Sequence, residues 1–225
     1  IGLHLARTFL ARGMNVVGTY RTERETLSEL AEAGAKLFPC DFYEEEQVAG
    51  LAHSVAEQCG SLRAIIHNAS DWLPENAGHP AADIMRRMMQ VHVNAPYLLN
   101  LALTPLLLET SASHADIIHV GDYVSTRGSK KHIAYAASKA AQDNLTLSFS
   151  ASLAPRVKVN SIAPALVIFN DDDDEQYREK AREKSLMQRE AGLDEFQRTV
   201  DYLLESVYVT GRILHIDGGR HLKVA

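Results

Sequence analysis

The chain of 225 residues has the length of one α/β domain, and 46% hydrophobic with 23% charged residues is an ordinary globular composition. A disordered, collagen-like or coiled-coil protein would have a different composition. The net charge of −6 gives no general attraction to nucleic acid or to an anionic membrane surface, so we expect neither as a partner. Two cysteines are too few for a disulfide scaffold, which favours a reducing compartment.

No targeting segment is expected either. The first residues lack the basic-then-apolar pattern of a signal peptide, and no uncharged apolar run approaches the roughly 18 residues of a membrane helix. We therefore expect a cytoplasmic protein.

Short apolar runs alternate with amphipathic stretches, which predicts strands alternating with helices. In chain order the predicted elements are a helix over 3–12, a strand over 15–20, a helix over 23–33, a strand over 35–40, a helix over 44–58, a strand over 63–67, a helix over 83–109 interrupted near Pro96, a strand over 116–120, a helix over 132–153, a strand over 157–162, an irregular or weakly helical segment over 163–192, a helix over 193–206 and a strand over 213–216. Gly13 and Gly34 are expected to end the first two helices.

This alternation predicts a doubly wound, Rossmann-like parallel α/β sheet in a single domain over 1–225. Such a sheet starts with a strand, whereas this chain starts with a predicted helix and without Met. We therefore expect the domain to be N-terminally incomplete, with a first strand and most of a glycine-rich loop preceding Ile1.

The strongest chemical signal is the run Tyr135-Ala-Ala-Ser-Lys139. Residues four apart lie on one face of a helix, so the phenol and the ammonium group point the same way. A nearby cation lowers the pKa of a tyrosine, which can then exchange a proton with a reacting group. The spacing is weak evidence alone, because it arises by chance on long helices.

Small or polar residues follow four of the predicted strands, where ligands of open α/β sheets bind. They are found in Asn68-Ala69-Ser70, Gly121-Asp122, Ser161-Ile-Ala-Pro164 and Asp217-Gly-Gly219.

In this order, the motifs resemble the short-chain dehydrogenase/reductase family over essentially the whole chain. The resemblance implies a Rossmann-like fold, a nicotinamide cofactor and hydride transfer. It also implies that Tyr135 is the catalytic acid and that Lys139 binds the nicotinamide ribose and lowers the pKa of the tyrosine. Asn94 would help to hold a proton-relay water. The implied cofactor-binding residues are Gly2, Asp41, Phe42, Asn68, Ala69, Ser70, Tyr135, Lys139, Pro164 and Ala165.

Two positions depart from the family pattern: Asp122 stands where serine is usual, and Ala165 stands where glycine is usual. Asp122 together with Tyr135 and Lys139 resembles the pteridine reductases of the family. In that subgroup an aromatic residue holds the pterin against the nicotinamide, and the corresponding residue here is Trp72. The resemblance thus implies reduction of a 7,8-dihydropterin, with dihydrofolate as a weaker substrate, at a site that includes Ser70.

The choice of cofactor rests on the residue after the second predicted strand of such a sheet. NAD-binding proteins carry a carboxylate there for the ribose 2′-hydroxyl, whereas this chain has Arg21, which can pair with a 2′-phosphate. We therefore expect NADPH.

Three questions stay open at this level. Either Tyr135 or an ordered water protonates the substrate. The charge of Asp122 would oppose the effect of Lys139 on the tyrosine pKa, unless Asp122 is itself protonated. The alternatives to pterin reduction are another carbonyl reductase of the family and a non-catalytic nucleotide-binding member.

Two further expectations concern metals and assembly. The acidic run 171–175 is interpreted as a helix N-terminus, and the histidines lack ligand spacing, so no metal site is expected. By analogy with the family, we expect a homotetramer formed through the helices over 83–109 and 132–153.

Overall fold

The computed structural model describes residues 1–223 and confirms an α/β fold. Its helices are α1 (Gly2–Ala11), α2 (Thr26–Glu32), α3 (Glu45–Gln58), α4 (Ala81–Met89), α5 (Ala95–Leu108), α6 (Ile133–Leu153), α7 (Glu175–Arg182) and α8 (Leu193–Glu205). Its strands are β1 (Val17–Tyr20), β2 (Lys36–Pro39), β3 (Ala64–His67), β4 (Ala115–Val120), β5 (Val157–Pro164) and β6 (Ile213–Ile216).

Every strand pairing is parallel, and the strands form two groups. One group is the β1–β2 pair, and the other is a sheet in the order β3-β4-β5-β6. Within residues 1–223, no backbone ladder joins the two groups. A cleft of about 1120 Å³ separates them, lined by Val17 and Gly18 on one side and by Ala64 and Ile65 on the other.

The four-stranded sheet is covered on both faces, as a doubly wound fold requires. Neighbouring residues of β4 point to opposite faces. Ile117 belongs to the core cluster that includes Phe149 of α6, whereas Ile118 belongs to the cluster that includes Phe196 of α8. Both isoleucines are fully buried.

The sequence located the strands well because they are short apolar runs, and the observed strand ends differ from the predicted ones by two residues at most. Gly13 and Gly34 follow α1 and α2 with φ of +75° and +97°, a conformation that favours glycine, so both predicted helix ends are confirmed.

The long helix is interrupted just before Pro96. A π-helical turn over Gln90–Asn94 separates α4 from α5. Pro96 lies in the first turn of α5, where a missing N–H group is tolerated. The predicted interruption near Pro96 is therefore confirmed, and it falls on a turn that carries Asn94 and His92.

Helix α7 lies inside the segment that was predicted to be irregular or weakly helical. None of its residues is buried, so it has no apolar period that the sequence could show. Asp174 caps it by accepting a hydrogen bond from the Tyr177 N–H group at 2.7 Å. The acidic run therefore leads into a helix N-terminus, as predicted.

The continuous helical run over 81–108 has the length and hydropathy of a membrane-crossing helix, with a mean hydropathy of 1.3. This corrects the expectation that no segment approaches that length. In this fold the run belongs to the hydrophobic core, because its side chains Met88, Leu99 and Leu103 are buried.

Because the sheet is covered on both faces, truncating a buried side chain of β4 should destabilise the fold. Replacing Ile118 with alanine should lower the free energy of unfolding by about 2–5 kcal/mol, since it opens a cavity between the sheet and α8. Val207 is 76% exposed, so Val207→Ala should change the free energy of unfolding by less than about 0.5 kcal/mol. Urea denaturation measures the free energy of unfolding of both variants. Equal losses in the Ile118 and Val207 variants would contradict this packing.

Candidate active site

Tyr135 and Asp122 form a direct hydrogen bond at the carboxyl edge of the sheet. The Tyr135 hydroxyl donates to Oδ2 of Asp122 at 2.8 Å. The other carboxylate oxygen, Oδ1, accepts from the Val124 N–H group at 2.8 Å. The backbone turn after β4 thus fixes the carboxyl group and aims one oxygen at the phenol.

Lys139 lies beside this pair, on the same face of α6 as Tyr135. Its side chain is 1% exposed, and its Nζ atom donates to the Val120 carbonyl at 2.8 Å and to Oε1 of Gln142 at 3.3 Å. Burial lowers the pKa of Lys139 to about 8. The helical spacing therefore brings the phenol and the amine together as predicted, with Nζ 5.8 Å from the centre of the Tyr135 ring.

The direction of the tyrosine pKa differs from the expectation. The pKa of Tyr135 is raised, chiefly by burial and then by the charge of Asp122. Burial also raises the pKa of Asp122. The expected lowering by Lys139 does not dominate, because the carboxyl group contacts the phenol directly whereas the amine is bonded elsewhere. Both members of the pair therefore retain protons more strongly than free side chains do.

His92 is a buried histidine that no sequence pattern indicated, and Ser138 connects it to the backbone of Tyr135. His92 is fully buried, with Nε2 at 2.9 Å from the Ser70 hydroxyl and Nδ1 at 2.8 Å from the Ser138 hydroxyl. Burial lowers its pKa to about 2, so the ring is neutral. Ser138 in turn donates to the Tyr135 carbonyl at 2.8 Å. No motif or spacing signals this contact, because it joins the π-helical turn to α6.

Asn94 lies on the same π-helical turn, where its side-chain amide donates to Oε1 of Gln90 at 3.1 Å. In the described hydrogen bonds it contacts neither Tyr135 nor Lys139. Its role in holding a water therefore stays a prediction.

The residues expected to bind the cofactor lie along the large cleft and the strand ends. Gly2, at the start of α1, lies so close to Asn68 that a Cβ atom would stand 2.7 Å from the amide nitrogen. Asn68, Ala69 and Phe42 line the same cleft. These positions suit a bound dinucleotide, since the N-terminal N–H groups of a helix favour phosphate.

Three other residues of the expected cofactor set are held by local contacts. Asp41 accepts from the Tyr43 N–H group at 3.0 Å. Pro164 ends β5, and the Ala165 N–H group donates to the Ile216 carbonyl at 3.1 Å, which anchors this loop to β6.

Arg21 follows β1, as predicted, and belongs to a cluster that the sequence did not reveal. Its guanidinium lies 3.4 Å from a carboxylate oxygen of Asp71. The Tyr43 hydroxyl donates to the same oxygen at 2.8 Å. The guanidinium of Arg87 lies over the Tyr43 ring, 5.2 Å from its centre.

Trp72 is 60% exposed and stacks on His132 with ring centres 4.2 Å apart. The same loop is tied to α6 by Glu75, whose carboxylate accepts from the N–H groups of Ile133 and Ala134 at 2.6 and 3.0 Å. The structure thus places Trp72 beside the N-terminus of the helix that carries Tyr135. Its contact with a substrate stays a prediction.

The chain is similar to known proteins over nearly its whole length. The family described as Enoyl-(Acyl carrier protein) reductase matches residues 1–221. The chain is 52% identical to the dihydromonapterin reductases of Klebsiella pneumoniae and Escherichia coli K12 over 223 residues, which is 99% of this chain and 93% of each relative.

The chain belongs to the short-chain dehydrogenase/reductase family.

As a member of that family, the chain is an oxidoreductase, and its Rossmann-like fold is shared with solved structures. One is FolM alternative dihydrofolate reductase 1 from Brucella suis in complex with NADP, with 25% identity, a TM-score of 0.82 and coverage of 100% of this chain and 92% of that one. Another is the RhlG/NADP complex of Pseudomonas aeruginosa, with 24% identity, a TM-score of 0.86 and coverage of 98% and 91%. The latter likeness concerns the fold alone.

The contact between Asp122 and Tyr135 predicts a measurable shift in the phenol. Replacing Asp122 with asparagine should lower the pKa of Tyr135, since it removes the negative charge that opposes phenolate formation. Phenolate absorbance, measured against Tyr135→Phe, reports this pKa.

The matched control is Asp143→Asn, which removes another partly buried carboxyl group near Lys139 without touching the phenol. We expect the pKa of Tyr135 to stay unchanged in the control. An unchanged pKa in the Asp122 variant would show that the two side chains do not interact as described.

Proposed function

We propose that this chain reduces the C6=N5 bond of a 7,8-dihydropterin with NADPH. The observation that carries the proposal is the hydrogen bond between Asp122 and Tyr135, a carboxyl–phenol pair in place of the usual serine–tyrosine pair. The names of the dihydromonapterin reductases, at 52% identity, support a pterin substrate of that type. Dihydrofolate is the expected weaker substrate, in agreement with the name of the Brucella suis structure.

The chain offers suitable groups for each part of the cofactor. Arg21 would pair with the 2′-phosphate, and its side chain is 54% exposed and therefore accessible. Gly2 begins α1, and the N–H groups at this helix N-terminus would bind the pyrophosphate. Lys139 would hold the nicotinamide ribose. When bound, the reduced nicotinamide supplies the hydride for C6.

The remaining task is to place a proton on N5, and the pair is suited to it. If Tyr135 gave up its proton beside an ionised Asp122, two anions would lie in contact, which is costly in a buried site. If Asp122 is protonated, its O–H group donates to the phenol oxygen instead of accepting from it. The carboxyl proton then passes to that oxygen as the phenol proton moves to N5, and one negative charge remains on Asp122. The raised pKa of Asp122 favours this second route.

An NADPH-consumption assay tests the proposed reaction. We expect turnover of 7,8-dihydromonapterin, slower turnover of dihydrofolate, and little with ketone or enoyl-thioester substrates. Tyr135→Phe should reduce kcat with the pterin by about a hundredfold or more, since it removes the proton donor.

Preferential turnover of a ketone or enoyl thioester would instead support another reductase of the family. NADPH binding without turnover of any substrate would support a non-catalytic member. Full activity of Tyr135→Phe would contradict the assigned donor.

Trp72 is proposed to stack on the pterin ring, because it lies exposed beside Ser70 at the end of the β3 segment. Trp72→Ala should raise KM for the dihydropterin by about threefold to tenfold, as expected for loss of an aromatic stack. Trp72→Phe, which keeps an aromatic ring, should restore most of the affinity. Unchanged KM in the alanine variant would refute the stacking role.

We propose further that the chain acts as a single domain and as a cytoplasmic homotetramer. Exposed apolar side chains on α5 and α6 support this assembly, among them Leu101, Leu108 and Leu147. A monomer in light scattering would contradict it.

A further inference from the structure

The carboxylate of Asp71 lies where two parts of the site meet. One oxygen, Oδ2, accepts from the Tyr43 hydroxyl at 2.8 Å and lies 3.4 Å from the Arg21 guanidinium. The other oxygen, Oδ1, accepts from the Trp72 N–H group at 2.8 Å. A single side chain therefore touches both the proposed phosphate-binding arginine and the residue proposed to hold the substrate.

The surroundings of Asp71 are cationic. The Tyr43 ring lies near two guanidinium groups, those of Arg21 at 5.8 Å and Arg87 at 5.2 Å from the ring centre. Burial and the contact with Asp71 raise the pKa of Tyr43 to about 12, so its hydroxyl remains a donor at neutral pH. Tyr43 thus links the Asp71 carboxylate to two guanidinium groups, and the charges of Asp71, Arg21 and Arg87 sum to about +1 before any ligand binds.

This is the arrangement that a phosphate monoester would also occupy. Its charge of about −1.5 to −2 and its three acceptor oxygens make it a stronger partner for a guanidinium than one carboxylate oxygen at 3.4 Å. The phosphate and the carboxylate would repel each other if both stayed beside Arg21. Binding of the phosphate would therefore free Asp71 from the arginine.

We propose that Asp71 is a displaceable internal anion that occupies Arg21 until the cofactor 2′-phosphate arrives, and that its release repositions Trp72. The inference rests on the proposed NADPH function and adds a coupling between cofactor and substrate sites. Because Oδ1 holds the Trp72 backbone, displacement of the carboxylate changes the loop that carries the indole ring. Cofactor binding is thereby coupled to the position of the indole ring at the proposed pterin site.

The chain has one tryptophan, Trp72, so its fluorescence reports this loop directly. The probe is adenosine 2′,5′-bisphosphate, compared with 5′-AMP, which lacks the 2′-phosphate. Neither nucleotide carries the nicotinamide that would quench tryptophan emission. In the native protein, the bisphosphate should change the emission of Trp72, and 5′-AMP should not.

Asp71→Asn tests the displacement itself. The variant keeps the size of the side chain but removes the charge that competes for Arg21. It should bind the bisphosphate about fivefold more tightly in calorimetry, with affinity for 5′-AMP unchanged.

The matched control is Glu195→Gln on α8, which removes an exposed carboxylate paired with Arg198. It should behave as the native protein does in both measurements. A merely structural Asp71 would give the native affinity in Asp71→Asn, and that result would overturn the inference.

The outcome separates the two proposals. Tighter binding of the bisphosphate than of 5′-AMP, without any change in Trp72 emission, would overturn the coupling and leave the NADPH proposal standing. Equal affinities for the two nucleotides in the native protein would overturn the assignment of the 2′-phosphate to Arg21 and the coupling with it.

Discussion

The contact between Tyr135 and Asp122 is the interaction on which the account of the site depends. Burial raises the pKa of both groups, and the carboxyl group raises the pKa of the phenol further, whereas the hydrogen bond from the phenol acts to lower the pKa of the carboxyl group. A tyrosine near a lysine alone would favour phenolate, whereas this pair favours the protonated state. The site is therefore better suited to giving a proton to a nitrogen atom than to holding a standing phenolate.

The rest of the fold keeps this contact in place. The turn after β4 fixes one oxygen of Asp122, and α6 carries Tyr135 and Lys139 on one face. The neutral ring of His92 connects Ser70, in the loop after β3, to Ser138 on α6. Because each polar group is bonded, the side chains can remain buried without the cost of unsatisfied hydrogen bonds.

Much of this arrangement could be read from the sequence. Short apolar runs located the strands, the four-residue spacing joined Tyr135 to Lys139, and polar strand ends placed Asp122 near them. The raised pKa of Tyr135 could not be read, because it depends on which group contacts the phenol directly. The π-helical turn, the His92 contacts and the Asp71 cluster were missed because each joins segments that are distant in sequence.

The most direct test of the account is the pH dependence of kcat/KM for dihydropterin reduction. The account predicts that kcat/KM falls as the pH rises through the pKa of Asp122, which lies above that of a free aspartate. Below that pH the carboxyl group can pass its proton to the phenolate, and above it the charge opposes proton delivery. Asp122→Asn should abolish this limb of the profile. An identical profile in the native protein and the variant would contradict the central claim.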